Sequence, residues 1–162
     1  MMPADRPAGM VIRPLTAVDA EDIATWQYEG PWRIYDSRPE DRVSGESGYQ
    51  AVADPATGAL VGYICLGEEA RVPGLEAMPG VIDVGAGMRP ALVGSRLGTE
   101  FGAAILRHIK DRAAEATLRA VVQSWNERSL RLCAGLGFRA VGTHVCIQGG
   151  REVSYVVLMT GN

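Results

Sequence analysis

The hydrophobic pattern of Met10-Val11-Ile12-Arg13-Pro14-Leu15 predicts a first strand, and Thr16 stands where it can cap a helix. From Val18, the positions Ala20, Ile23, Ala24 and Trp26 sketch that helix as short and amphipathic. Tyr49–Ala53 and Leu60–Leu66 read as strands joined by the turn residues Asp54-Pro55-Ala56-Thr57-Gly58. Residues 68–80 form a loop into the strand Val81-Ile82-Asp83-Val84, which softens at Gly85-Ala86-Gly87. Leu97, Phe101, Ala104, Ile105 and Ile109 make one apolar stripe at helical spacing, and Leu118-Arg119-Ala120-Val121-Val122 is a further strand. Asn126 opens a last helix, and Leu136-Gly137-Phe138 closes it with a glycine cap. Phe138–Ile147 and Val153–Met159 then form a hairpin around Gln148-Gly149-Gly150-Arg151. The pattern predicts an α/β fold in which Val81–Val84, the central helix and Leu118–Val122 make a right-handed βαβ unit with two parallel strands.

The turn of that unit lies at the positive end of its helix, where backbone N–H groups gather an anion, most often a phosphate. Gly94 and Gly98 let the backbone curl and approach such a ligand. A plain strand-to-helix turn that binds nothing would need the same glycines. A Walker loop is a poor match, because Gly98 is followed by Thr99-Glu100 and not by Lys-Ser/Thr. The dinucleotide fingerprint needs three glycines at fixed offsets, and this turn supplies two.

Met88-Arg89-Pro90 followed by Gly94-Ser95-Arg96-Leu97-Gly98 resembles the acyl-CoA pyrophosphate loop of the GNAT acetyltransferase superfamily. Arg96 replaces the second glycine of the common Gly-Arg-Gly-Leu-Gly version, and Val93 stands where Arg or Gln is usual. A guanidinium remains a good phosphate partner. A second stretch, Asn126 through Phe138, is similar position for position to the superfamily pattern Asn-x-x-Ala/Ser-x-x-Leu-Tyr-x-x-x-Gly-Phe, with Cys133 in place of the tyrosine. The resemblance implies a central mixed sheet of about six to seven strands flanked by helices, with a splayed parallel pair. It also implies acetyl-CoA or coenzyme A held by Met88, Val93, Gly94, Ser95, Arg96, Gly98, Thr99 and Asn126. An N–H near Met88 would face the thioester oxygen, and Asn126 would bond the pantetheine arm. The alternative role of Asn126 is a helix cap worth ~1 kcal/mol.

With 162 residues the chain is expected to fold as a single domain over 10–162, after a loose end at 1–9. Net charge −3 argues against a general nucleic-acid binder, and no apolar run approaches a membrane span. Cys65, Cys133 and Cys146 are an odd number at wide spacing, so neither a disulfide framework nor a metal site is indicated, and a reducing cytoplasm is the expected setting. A homodimer is left open.

Four of the chain's ten Trp, Tyr and Phe residues, Trp26, Tyr28, Trp32 and Tyr35, crowd one segment. They either pin a loop to the core or wall an acceptor pocket, and the resemblance favours the pocket. Acetyl transfer to an amine develops negative charge on the former carbonyl oxygen, which one preorganised N–H stabilises by roughly 3 kcal/mol. The amine must be neutral: at pH 7 a lysine-like group of pKa ~10.4 is neutral in about one molecule in 2,500, whereas an α-amino group of pKa ~8 loses only about tenfold. Asp83 is the candidate base, with Glu68, Glu69 and Glu76 as rivals, and its alternative role is to meet an arginine. Cys133 is the candidate proton donor to the leaving thiolate, or a small packing residue. The leading reading is an N-acetyltransferase that moves an acetyl group from acetyl-CoA to a primary amine of a small molecule or a peptide or protein N-terminus, the amine attacking the thioester directly. The alternative is a weak or inactive acyl-CoA-binding sensor module, and a nucleotide-phosphate binder ranks below both because it leaves Asn126–Phe138 unexplained.

Overall fold

In the computed structural model, which describes residues 9–37, 43–93 and 97–160, the elements run as β1 (Val11–Pro14), α1 (Ala17–Ala24), β2 (Gln50–Ala53), β3 (Leu60–Leu66) and β4 (Val81–Met88), then α2 (Gly98–Arg112), β5 (Thr117–Gln123), α3 (Glu127–Gly135), β6 (Phe138–Gln148) and β7 (Arg151–Thr160). Seven strands share one sheet in the order β1-β2-β3-β4-β5-β7-β6. β4 and β5 are parallel and are joined through α2, while β1/β2, β2/β3, β5/β7 and β6/β7 are antiparallel. This is the mixed sheet that the resemblance implies, and its parallel pair is the one the hydrophobic pattern predicts. By its backbone contacts the chain divides into two compact units. The first runs up to Ile64 and takes in Ala86–Ile105, and the second holds Cys65–Gly85 and continues from Leu106.

In the first unit, α1 starts with a capping box. Thr16 Oγ1 accepts from the Asp19 amide at 3.1 Å, and Asp19 Oδ2 accepts from the Thr16 amide at 2.8 Å. Arg13 clamps the same carboxylate at 2.6 and 3.1 Å and holds its pKa below the usual aspartate value. Leu15, Ile23, Trp26, Val43, Ala51 and Leu60 pack together as this unit's core. Phe101, Ala104 and Ile105 of α2 are also buried, as their spacing predicts.

β4 continues through Gly85-Ala86-Gly87 without a break, where the sequence predicts softening. The reason is steric. A Cβ at Gly87 would lie 2.4 Å from Cζ of Tyr63, so the glycine makes room for a β3 side chain and the strand stays regular.

The second unit carries Leu118, Leu158, Ile109 and Phe138 in its interior. Its hairpin turns at Gly149 and Gly150, with φ of +57° and +76°, values that glycine adopts without Cβ strain. The parallel register spans Val81↔Thr117 to Asp83↔Arg119. The ladder thus stops short of Val84 and Gly85, although β5 goes on pairing with β7 as far as Gln123↔Tyr155. Among the described residues no helix is long and apolar enough to cross a membrane.

Candidate functional site

The C-terminal end of β4 is held from several directions within the first unit. The Arg89 amide donates to the Val61 carbonyl at 2.8 Å, and the Tyr28 hydroxyl donates to the Met88 carbonyl at 2.7 Å. One peptide plane is therefore fixed at both its polar ends. The Arg89 side chain adds a second anchor: Nε donates to the Leu60 carbonyl at 2.8 Å, and Nη2 meets Asp22 Oδ2 at 2.5 Å. Its guanidinium lies 5.1 Å from the centre of the Trp26 ring, and Trp26 Nε1 donates to Asp22 Oδ1 at 3.0 Å. The hydrogen bond from Arg89 holds the Asp22 carboxyl below its usual range.

The four clustered aromatic residues separate here. Trp26 is core, only 6% exposed. Tyr28 is half-buried, and burial pushes its hydroxyl well above the usual tyrosine value, so it stays protonated. Tyr35 is exposed and meets Tyr28 edge-on with ring centres 6.4 Å apart, while Trp32 is half-buried in the 3₁₀ turn Gly30–Tyr35. Asp36 secures the segment by accepting from the Tyr28 amide at 2.7 Å. Trp26 thus belongs to the core, while Trp32 and Tyr35 keep part of their rings at the surface.

Met88 is followed by a 3₁₀ turn at Pro90–Leu92, whose cap Val93 donates its amide to the Pro90 carbonyl. Gly94, Ser95 and Arg96 lie outside the described residues. α2 begins at Gly98, and its opening turn is closed by the Phe101 amide donating to the Leu97 carbonyl at 2.8 Å. The amides of Gly98 and Thr99 stand ahead of that bond, at the positive end of a 15-residue helix. Such a donor set fits the pyrophosphate of coenzyme A.

Asp83, Asn126 and Cys133 belong to the second unit. Asp83 is 2% exposed and sits between two guanidiniums. Arg119 binds it through Nε at 2.6 Å and Nη2 at 3.1 Å, and Arg71 through Nη1 at 3.0 Å. Arg119 also donates to the Glu76 carbonyl at 2.7 Å, which ties the loop before β4 to β5. Asn126 is buried and caps α3, its Oδ1 accepting from the Ser129 amide at 3.2 Å. Burial pushes the Cys133 thiol up to about 11. Donation from it to an ordinary thiolate of pKa ~8.5 runs uphill by ~2.5 units, or about 3 kcal/mol. His144 Nε2 donates to the Pro73 carbonyl at 2.8 Å, a loop contact of the structural kind.

Sequence reasoning missed the Asp22–Arg89 pair and the second arginine on Asp83. A signal for Arg119 was available. Asp83 and Arg119 are the lone charges of two apolar strands, and the parallel register places them opposite each other. Nothing comparable marks Arg89, whose partner lies 67 residues away.

Residues 10–139 match the family model described as Acetyltransferase (GNAT) domain. An acetyltransferase of the GNAT family from Bacillus anthracis superposes with a TM-score of 0.69 at 17% identity, covering 95% of each chain. A spermidine N-acetyltransferase SpeG chimera from Vibrio cholerae and hSSAT gives 0.71 at 15% identity, covering 94% of this chain and 95% of that one. An AAC(6')-Ib structure in complex with ribostamycin and coenzyme A gives 0.65 at 16% identity, covering 92% of both. None of the curated proteins compared with the chain matches it.

Proposed function

The chain belongs to the GNAT acetyltransferase family, and from that premise we propose that it is an acetyl-CoA-dependent N-acetyltransferase acting by direct attack of a primary amine. The acceptor we propose is a small molecule or a peptide or protein N-terminus. Acetyl-CoA supplies an activated acetyl thioester. On this reading the amides of Gly98 and Thr99, with Val93 and the adjoining Gly94, Ser95 and Arg96, hold its diphosphate. The Met88 amide faces the thioester oxygen, and Asn126 serves the pantetheine arm while capping α3. Trp32 and Tyr35 offer aromatic surface on the acceptor side, Tyr28 supports Tyr35 edge-on, and Trp26 anchors the segment in the core.

The observation that carries this reading is the β4–α2–β5 unit. Its parallel ladder ends at Asp83↔Arg119, and a long helix opens at Gly98 after the Met88 turn. Asp83 and Cys133 support the alternative of a binder without turnover, since one carboxylate is paired and one thiol is a weak acid. Thiol release from acetyl-CoA across a panel of primary amines decides between them. Turnover with at least one amine is expected. Calorimetric binding of acetyl-CoA with no thiol released on any amine would favour the sensor module, and no binding at all would end both readings.

A further inference from the structure

We propose that Tyr28 is a positioning residue for acetyl transfer, acting through the backbone of Met88. The proposal rests on the acetyltransferase reading above and adds to it a side chain that neither motif contains. Along a strand, the N–H and C=O of one residue point to the same edge and those of its neighbours to the other. The Arg89 amide points to β3, because it donates to Val61. The N–H and C=O of Met88 therefore point to the opposite edge of β4. Gly87 agrees with this alternation, since its carbonyl oxygen lies on the β3 side, 2.4 Å from where a Cβ of Gly62 would stand.

Met88 thus presents two polar groups to one edge, and Tyr28 takes up one of them. Its hydroxyl donates to the Met88 carbonyl at 2.7 Å and leaves the amide for a carbonyl oxygen outside the strand. The peptide that comes next is bolted by Arg89 N–H to Val61, and the Arg89 side chain by Asp22, Leu60 and Trp26. Trp26 and Tyr28, just past the end of α1, are thereby joined to the end of β4. The amide that would stabilise charge in the transition state is preorganised by the same segment that walls the acceptor side. Tyr28 does this without titrating, because its burial keeps the proton in place at working pH.

The test is Tyr28→Phe, which removes the hydroxyl and keeps the ring. The expected result is a fall in kcat of about tenfold, with KM for acetyl-CoA and Kd for coenzyme A within about twofold and the shape of the pH profile unchanged. Amide hydrogen exchange supplies a readout independent of turnover: exchange at Arg89 should speed up at least about tenfold in the variant. Asp22→Asn, which loosens the same peptide through Arg89, should speed it likewise and stands in if Tyr28→Phe does not fold. Wild-type kcat together with wild-type exchange in Tyr28→Phe would overturn the proposal, as would a displaced alkaline limb, which would make the hydroxyl an acid or base. Failure of the wild-type protein to bind coenzyme A would instead sink the acetyltransferase reading, while the exchange data would still decide whether Tyr28 holds Met88.

Discussion

Replacing Asp83 with asparagine should unfold the protein more readily before it slows the chemistry. The carboxylate is 2% exposed and accepts from Arg119 at 2.6 and 3.1 Å and from Arg71 at 3.0 Å. The two arginines would respond differently to its loss. The Arg71 side chain is 23% exposed and can turn toward water, whereas that of Arg119 is 5% exposed and cannot. Asp83→Asn would thus strand a buried guanidinium with the Glu76 carbonyl and one amide oxygen as acceptors. Breaking a buried pair by removing one partner costs roughly 3–5 kcal/mol, and the retained amide oxygen places this case near the lower end. For a chain of this size each kcal/mol corresponds to about 2–4 °C in Tm, so a fall of roughly 6–12 °C is expected. Thermal unfolding measures the first quantity. Amine acetylation between about pH 6 and 9, well below the transition, measures the second, and its profile should keep its shape. A Tm within about 2 °C of wild type, combined with the loss of the acidic limb of kcat, would refute this reasoning and return Asp83 to the role of general base.

Asp19→Asn should cost about 1–3 kcal/mol at pH 7, since the carboxylate both caps α1 and receives Arg13. Its pKa is lowered in the folded state, so this stability is fully present above the unfolded value of ~3.9 and is lost as pH falls through the lower folded value. Urea titrations should show wild type and variant separated at neutral pH and drawing together as the pH falls through that lower folded value. Gly87→Ala would place a Cβ 2.4 Å from Tyr63 and should cost roughly 1–3 kcal/mol, partly recovered when Tyr63 is shortened to Leu; an undisturbed melting curve would show that β4 yields freely. Cys133→Ala should leave the alkaline limb of kcat in place, because a thiol near 11 gives up its proton too reluctantly to serve, and a shifted limb would restore the acid role.

Much of the fold is legible in the sequence because it arises from periodicity. The stripe Phe101, Ala104, Ile105 and Ile109 is buried, and the Thr16 cap closes as a full box. Leu60–Leu66 is a strand over those bounds, and the hairpin turns on the two glycines expected to make it. The site is less legible because its members meet through tertiary contacts. Tyr28 and Met88 are 60 residues apart, and no local pattern says that one hydroxyl will reach one carbonyl. The glycines before Met88 look like a weakened strand until Tyr63 and Cys65 are seen filling the space that side chains there would need. Glycine records that something comes close, but the sequence does not say what.

The supply of protons bears on which amines this protein can use. Asp83 is engaged by two arginines and the Cys133 thiol is pushed up, so neither of the second unit's candidates is well suited to strip a proton from an ammonium or return one to a thiolate. A coenzyme thiolate leaves readily and needs no acid to do so. The amine is the harder case. A lysine-like acceptor must recover about 4–5 kcal/mol of protonation at pH 7, while an amine of pKa ~8 must recover only about 1.4. The first deficit exceeds what one oriented N–H contributes, and the second lies well within it. On the reading proposed above, the contacts around Met88 would supply orientation and charge stabilisation without a strong base. Among the proposed acceptors, that reading favours amines already partly neutral near pH 7, peptide N-termini foremost.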